Sequence, residues 1–173
     1  MRAERGAVLV GSVACCFVLA SASGSRGDEP AADAAASEVH SQVERTMNAF
    51  AAMDAEGVVA GLAPEVTSFE IDLEGRPVRL TGIADARRYA EEMFAAMKEM
   101  GGSLEVDVRS RDCRAAAELA HCVVSLDFKA KMADGSEVVQ PTFVTVVLRR
   151  GDDGWRWIHW HSSLAVAGAA PAP

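Results

Sequence analysis

Basic residues are scarce in this chain. Seventeen Lys and Arg stand against 25 Asp and Glu, for a net charge of −8. An acidic surface is repelled by phosphate backbones and by anionic headgroups, which excludes nucleic acid and membrane surfaces as partners. No glycine-rich loop has the spacing that cradles phosphate, no serine stands in nucleophile-elbow context, and no cysteine sits in a nucleophile motif. There is one tyrosine, Tyr89. Apart from the N-terminus, no stretch is long and apolar enough to suggest a membrane span.

What is present begins with an export signal. A basic "MRAER" precedes the apolar "GAVLVGSVACCFVLA", and Ala20-Ser21-Ala22 supplies small residues for cleavage after Ala22. The rival is a lipoprotein tethered through Cys15 in "SVAC". Cleavage after residue 22 removes Arg2, Arg5 and Glu4, shifting the net charge from −8 to −9. The remaining 151 residues suit one domain, exported to the periplasm or secreted, with no membrane contact after cleavage. Cys15 and Cys16 leave with the signal, so Cys113 and Cys122 remain as a disulfide candidate or as two buried thiols.

Composition divides the rest. Residues 23–37 read as a flexible leader, 38–164 as the domain, and 165–173 as a disordered tail. Val39, Val43, Met47, Phe50 and Met53 step by three and four, the stripe of a helix. "VVAGLAP" reads as a short helix ended by Pro64. "VTSFEIDL" alternates, with Phe69, Ile71 and Leu73 opposite Ser68, Glu70 and Asp72, and Glu74-Gly75 turns it into "RPVRL". A third helix is predicted over 83–100 on the stripe Ile83, Ala86, Ala90, Met93, Met97 and Met100. Alternating strands then form an antiparallel meander, which makes the fold α+β.

Turn lengths set the strand register. A two-residue Asp134-Gly135 turn places Phe128 opposite Pro141, Leu126 opposite Phe143 and Val124 opposite Thr145. A four-residue "GDDG" loop places Arg150 opposite Trp155 and Thr145 opposite Trp160. The helix-facing side then carries Val124, Leu126, Phe128, Phe143, Thr145, Val147, Ile158, Trp160 and Ser162. The outer side carries Val144, Val146, Leu148, Trp157, His159 and His161. An outer face this apolar predicts a homodimer interface there. In this register Cys113 lies beyond the regular ladder, and bridging Cys122 requires a bulge or a bent turn.

The order of elements and the ending "QPTFVTVVLRRGDDGWRWIHWHSS" resemble the SnoaL-like branch of the nuclear transport factor 2-like (NTF2-like) superfamily, over about residues 38–164. "FAAMDAEGVVAGLAPEVTSFEIDLEGRPVRLTGIADARRYAEEMF" is similar to that family's first half. The resemblance implies a cone, in which a strongly bent sheet wraps helices around a pocket, and dimers through the outer sheet face. It implies a small-molecule pocket lined by Met47, Phe50, Tyr89, Met93, Phe128, Phe143, Thr145 and Trp160, which suits an apolar ligand. Asp72 falls where isomerases of the superfamily place a carboxylate base, with Glu70 on the same face. No cofactor is implied. His159 and His161, at i and i+2, lack a third metal ligand. Three functions follow: binding of a small apolar or carbonyl-bearing molecule, cofactor-free isomerase, dehydratase or cyclase chemistry on Asp72, or a purely structural dimer.

Overall fold

The structure is a computed structural model and describes residues 29–71 and 76–165. Its elements run α1 (Glu29–Ala51), α2 (Ala55–Ala60), β1 (Leu62–Ile71), β2 (Pro77–Thr81), α3 (Gly82–Glu99), β3 (Ser103–Ala115), β4 (Leu119–Lys131), β5 (Glu137–Gly151) and β6 (Gly154–Leu164). This is the α+β cone expected from the sequence: helices, then a bent mixed sheet of six strands in the order β2-β1-β6-β5-β4-β3. All neighbours are antiparallel except β1 and β6, which run parallel.

α1 starts earlier than the leader assignment allowed. The alanines of 31–36 propagate a helix well, and Ala35 joins Val39, Val43 and Met47 as one buried stripe. The assigned signal, residues 1–22, and the tail after Ala165 lie outside the described residues. α3 buries Ala86, Ala90, Phe94 and Met97, while Met100, at the end of the expected stripe, is exposed.

The β4–β5 register differs by one residue from the expected one. Met132 donates its N–H to the Ser136 carbonyl at 2.9 Å, so the loop holds three residues, Ala133-Asp134-Gly135. Gly135 takes φ +85°, the left-handed conformation that closes such a loop. Val124 therefore opposes Val144, and Leu126 opposes Thr142. Because side chains alternate with period two, a one-residue slip exchanges the faces of β5 completely. Val144, Val146 and Leu148 are buried in the core at 2%, 0% and 0% exposure, whereas Phe143 stands outside at 49% and Thr145 is exposed beside it. The expected dimer residues of β5 are core, and the expected pocket residues Phe143 and Thr145 are outer surface.

β6 adds a second irregularity. Arg150 opposes Trp155, as the GDDG loop requires, and Leu148 opposes Trp157. Ile158 is then an extra residue, so that Val147 opposes His159 and Val146 opposes Trp160. A bulge of this kind lets residues 157 and 160 share a face. Trp155 and Trp157 are both buried, and Trp160 packs edge-on against Trp157 at 6.1 Å between ring centres. Trp157 thus belongs to the core and not to the outer face, while His159 and His161 remain outside.

A third irregularity, a bulge at Arg109, shifts the β3–β4 ladder and brings Cys113 directly opposite Cys122, within the regular pairing and not beyond it. Their Cα atoms are 4.1 Å apart and the two sulfurs are bonded. The guanidinium of Arg109, the bulged residue, pairs with the buried carboxylate of Asp127. The two cysteines are separated by 9 residues, and closing a loop of that size in the unfolded chain corresponds to about 2–3 kcal/mol. The variant Cys113→Ala/Cys122→Ala is expected to lose that much in urea denaturation. Equal midpoints for variant and oxidised wild type would show that the bridge contributes nothing.

Candidate functional site

β1 inverts the usual alternation. Val66 and Ser68 are fully buried on the concave side and Glu70 follows them inward, while Phe69 projects outward and is half exposed. The outward ring is held at the surface by aromatic and cationic neighbours. His159 and His161 meet it edge-on at 6.1 and 6.5 Å, and the Arg79 guanidinium lies 6.0 Å from its centre. An acid has taken the inward place that an apolar residue would ordinarily fill.

Two hydroxyls converge on that acid. Ser68 Oγ donates to Glu70 Oε1 at 3.0 Å, and Ser162 Oγ donates to the same oxygen at 3.2 Å. Burial penalises the ionised carboxylate and pushes its pKa up from 4.5 to about 7, an effect the Ser68 and Ser162 hydrogen bonds partly oppose. The carboxyl therefore changes charge near neutral pH, where a general acid or base works best. Across the strand pair, Ser68 lies opposite Trp160 and Glu70 opposite Val78.

The aromatic wall comes from other elements. Phe50 of α1 meets Phe94 of α3 at 5.2 Å and Phe128 of β4 at 5.7 Å between ring centres. Met93 packs into the same cluster. Tyr89 donates its hydroxyl to the Ile71 carbonyl at 3.0 Å, which ties α3 to the strand next to Glu70. Phe50, Tyr89, Met93, Phe128 and Trp160 are all only partly buried, whereas Met47 is core. Five of the eight expected pocket residues thus retain accessible surface on the helix-bearing side, and Phe143 and Thr145 leave the set.

Asp72, the expected base, lies outside the described residues. The alternation of the sequence places Glu70 on the same face as Asp72, as its companion. The clue to its direction was Val66: counting the alternation from Val66 puts Ser68 and Glu70 on the buried side. Of the expected histidines, His159 Nδ1 sits 3.0 Å from Thr67 Oγ1 on the outer face and His161 is exposed. Among the described residues no cluster of His, Cys, Asp and Glu could hold a metal ion.

Away from Glu70, a cavity of about 450 Å³ opens where α2 meets β1, lined by Leu62, Ala63, Ile83, Arg149 and Arg156 among others. Its arginines are already engaged: Arg149 pairs with Glu65, and Arg156 binds the Ala60 carbonyl and Asp153. The inward carboxyl of Glu70 is the better chemical candidate.

Residues 39–167 match the SnoaL-like domain family, and the chain belongs to it. No curated protein matches the sequence. Among solved structures, the chain is similar to an NTF2-like protein of unknown function from Pseudomonas putida KT2440, with 23% identity, 76% of this chain and 87% of that one covered, and a TM-score of 0.65. A candidate dehydratase of the NTF2-like family from Streptomyces avermitilis shares 16% identity over 78% and 99% of the two chains, with a TM-score of 0.68. A ketosteroid isomerase-like protein from Erwinia carotovora atroseptica shares 15% identity over 75% and 95%, with a TM-score of 0.57. At these identities the likeness concerns the fold.

Proposed function

We propose that the cone receives a small, mainly apolar molecule bearing a carbonyl group, and that Glu70 exchanges a proton with the carbon beside that carbonyl. The observation that carries this reading is the inward Glu70 carboxyl, held by two serine hydroxyls on the side of the sheet that also bears Trp160 and Phe128. An apolar wall favours the uncharged substrate, and a carboxyl titrating near 7 is present both as acid and as base at neutral pH. In this reading the base role falls to Glu70, while Asp72 lies outside the described residues, and no cofactor is invoked. The test is hydrogen–deuterium exchange at the α-carbon of small aromatic and alicyclic ketones, followed by NMR in D₂O. Exchange is expected to rise with pH through about 7 and to fall about 100-fold in Glu70→Gln. Equal rates for wild type and variant would remove Glu70 from the chemistry.

A second reading, homodimerisation, concerns the outer face and is compatible with the first. Phe69, Val123 and Phe143 are exposed there, beside Val147, His159 and His161. An apolar group of this size on a soluble domain favours a partner, and a second copy of the chain is the proposed one. Light scattering is expected to give a dimer at micromolar concentration and a monomer for Phe143→Asp. A monomeric wild type would end this reading. Export is part of the same proposal. It rests on the N-terminal signal pattern and on the bonded Cys113–Cys122 pair, which suits an oxidising compartment. Among the described residues no helix is long and apolar enough to cross a membrane.

A further inference from the structure

The two serines at Glu70 do not share its carboxyl evenly. Ser68 on β1 and Ser162 on β6 both donate to Oε1, and among the described residues nothing donates to Oε2. Ser68 is fully buried, so its hydroxyl has no water to turn to. Among the described residues, Ser68 and Ser162 are the donors to the carboxyl. β2 contributes Val78 and Leu80, and β6 contributes Trp160. α3 brings Tyr89, whose hydroxyl donates to the Ile71 carbonyl. The charged groups nearby, Arg79, His159 and His161, cluster about Phe69 on the opposite face of the sheet.

This asymmetry has a chemical consequence. A carboxylic acid has one carbonyl oxygen, which accepts hydrogen bonds, and one hydroxyl oxygen, which donates. Two donors on Oε1 favour the carbonyl character of that atom, and so the proton goes to Oε2. In the ionised form the same donors stabilise charge on Oε1 and leave Oε2 without a protein donor among the described residues, hence the more basic oxygen.

We infer that Ser68 and Ser162 are positioning residues that reserve Oε2 of Glu70 as the oxygen that gives and takes the proton. The inference rests on the acid–base role proposed for Glu70, and it adds the atom through which that role is exercised. One serine comes from the same strand as the acid and the other from a strand 92 residues away in sequence. The orientation of the carboxyl is therefore fixed only when β1 and β6 are paired.

Infrared difference spectroscopy across the titration of Glu70 tests this directly in the full chain. The Glu70 band is assigned by its loss in Glu70→Gln. In wild type the C=O stretch of the protonated acid is expected at the lower frequency of a hydrogen-bonded carbonyl. It should move upward in Ser162→Ala and in Ser68→Ala, and further in the double variant. The protonation midpoint should rise by about one pH unit for each hydroxyl removed, because each stabilises the ionised form. Ser162→Thr, which keeps a hydroxyl, should restore both readouts. Should Ser68→Ala fail to fold, Ser162→Ala decides alone. A folded Ser162→Ala whose C=O band and midpoint match wild type overturns the inference, because the C=O would then be an oxygen that serine does not touch. If the band moves as expected but no ketone exchanges its α-proton, the proton placement stands and the proposed reaction falls.

Discussion

Replacing Glu70 with glutamine is expected to stabilise the protein at pH 8 by about 3 kcal/mol at most, and to leave it nearly unchanged at pH 4. The folded protein holds the Glu70 proton up to about pH 7, while the unfolded chain releases it near 4.5. Between those values the folded state binds more protons than the unfolded one, so stability falls as pH rises through the window. Above it, the folded protein carries a carboxylate that would be better solvated in water. A displacement from 4.5 to about 7 corresponds to about 3 kcal/mol. Glutamine keeps an oxygen able to accept from Ser68 and Ser162 but never ionises, so it avoids the cost. Urea midpoints for both proteins at the two pH values give the answer. An equal difference at pH 4 and pH 8 would show that Glu70 titrates as an ordinary surface acid. The expected result is a fold that gains stability by losing its reactive group, a common relation at functional sites.

The second large effect concerns β5. Leu148→Ala is expected to cost about 3–5 kcal/mol, the range for emptying a fully buried leucine site. Phe143→Ala, five residues earlier on the same strand, is expected to cost less than about 1 kcal/mol in the monomer, because half of that side chain already faces water. A register one residue away reverses the order of the two. Denaturation of both variants at low protein concentration therefore tests the three-residue Ala133-Asp134-Gly135 loop without any structural measurement. A larger loss for Phe143→Ala would mean that the strand sits with its other face inward.

The order of the elements was legible because helix and strand periodicities differ sharply, and each segment from Val39 to Trp160 carries one of them clearly. The faces of the last strands were not. They depend on whether "MADGSE" turns in two residues or three, and Asp134-Gly135 satisfies either loop. The bulges at Arg109 and Ile158 left no distinguishing residue type. They moved Cys113 into register with Cys122 and kept Trp160 on the side of Trp157. The direction of Glu70 was hidden for another reason. Alternation was read with the apolar side inward, and β1 places Phe69 outside and the acid inside. A rule derived from burial is least reliable where a polar group is buried for its chemistry. The opening of α1 was misread because short alanine-rich stretches suit a linker as well as a helix.

The parallel pairing of β1 with β6 sets the order in which the protein can be completed. β1 and β2 reach the rest of the sheet only through β6, the last strand in chain order. A chain emerging from its N-terminus can form the β3–β4–β5 meander early, from local contacts. The β1–β2 hairpin can lean on α3, but it has no strand of the main sheet to pair with until β6 arrives. Ser68 and Glu70 then meet Ser162 in the same event that closes the sheet. A partly synthesised chain can be structured over much of its length and still have no proton-transfer site.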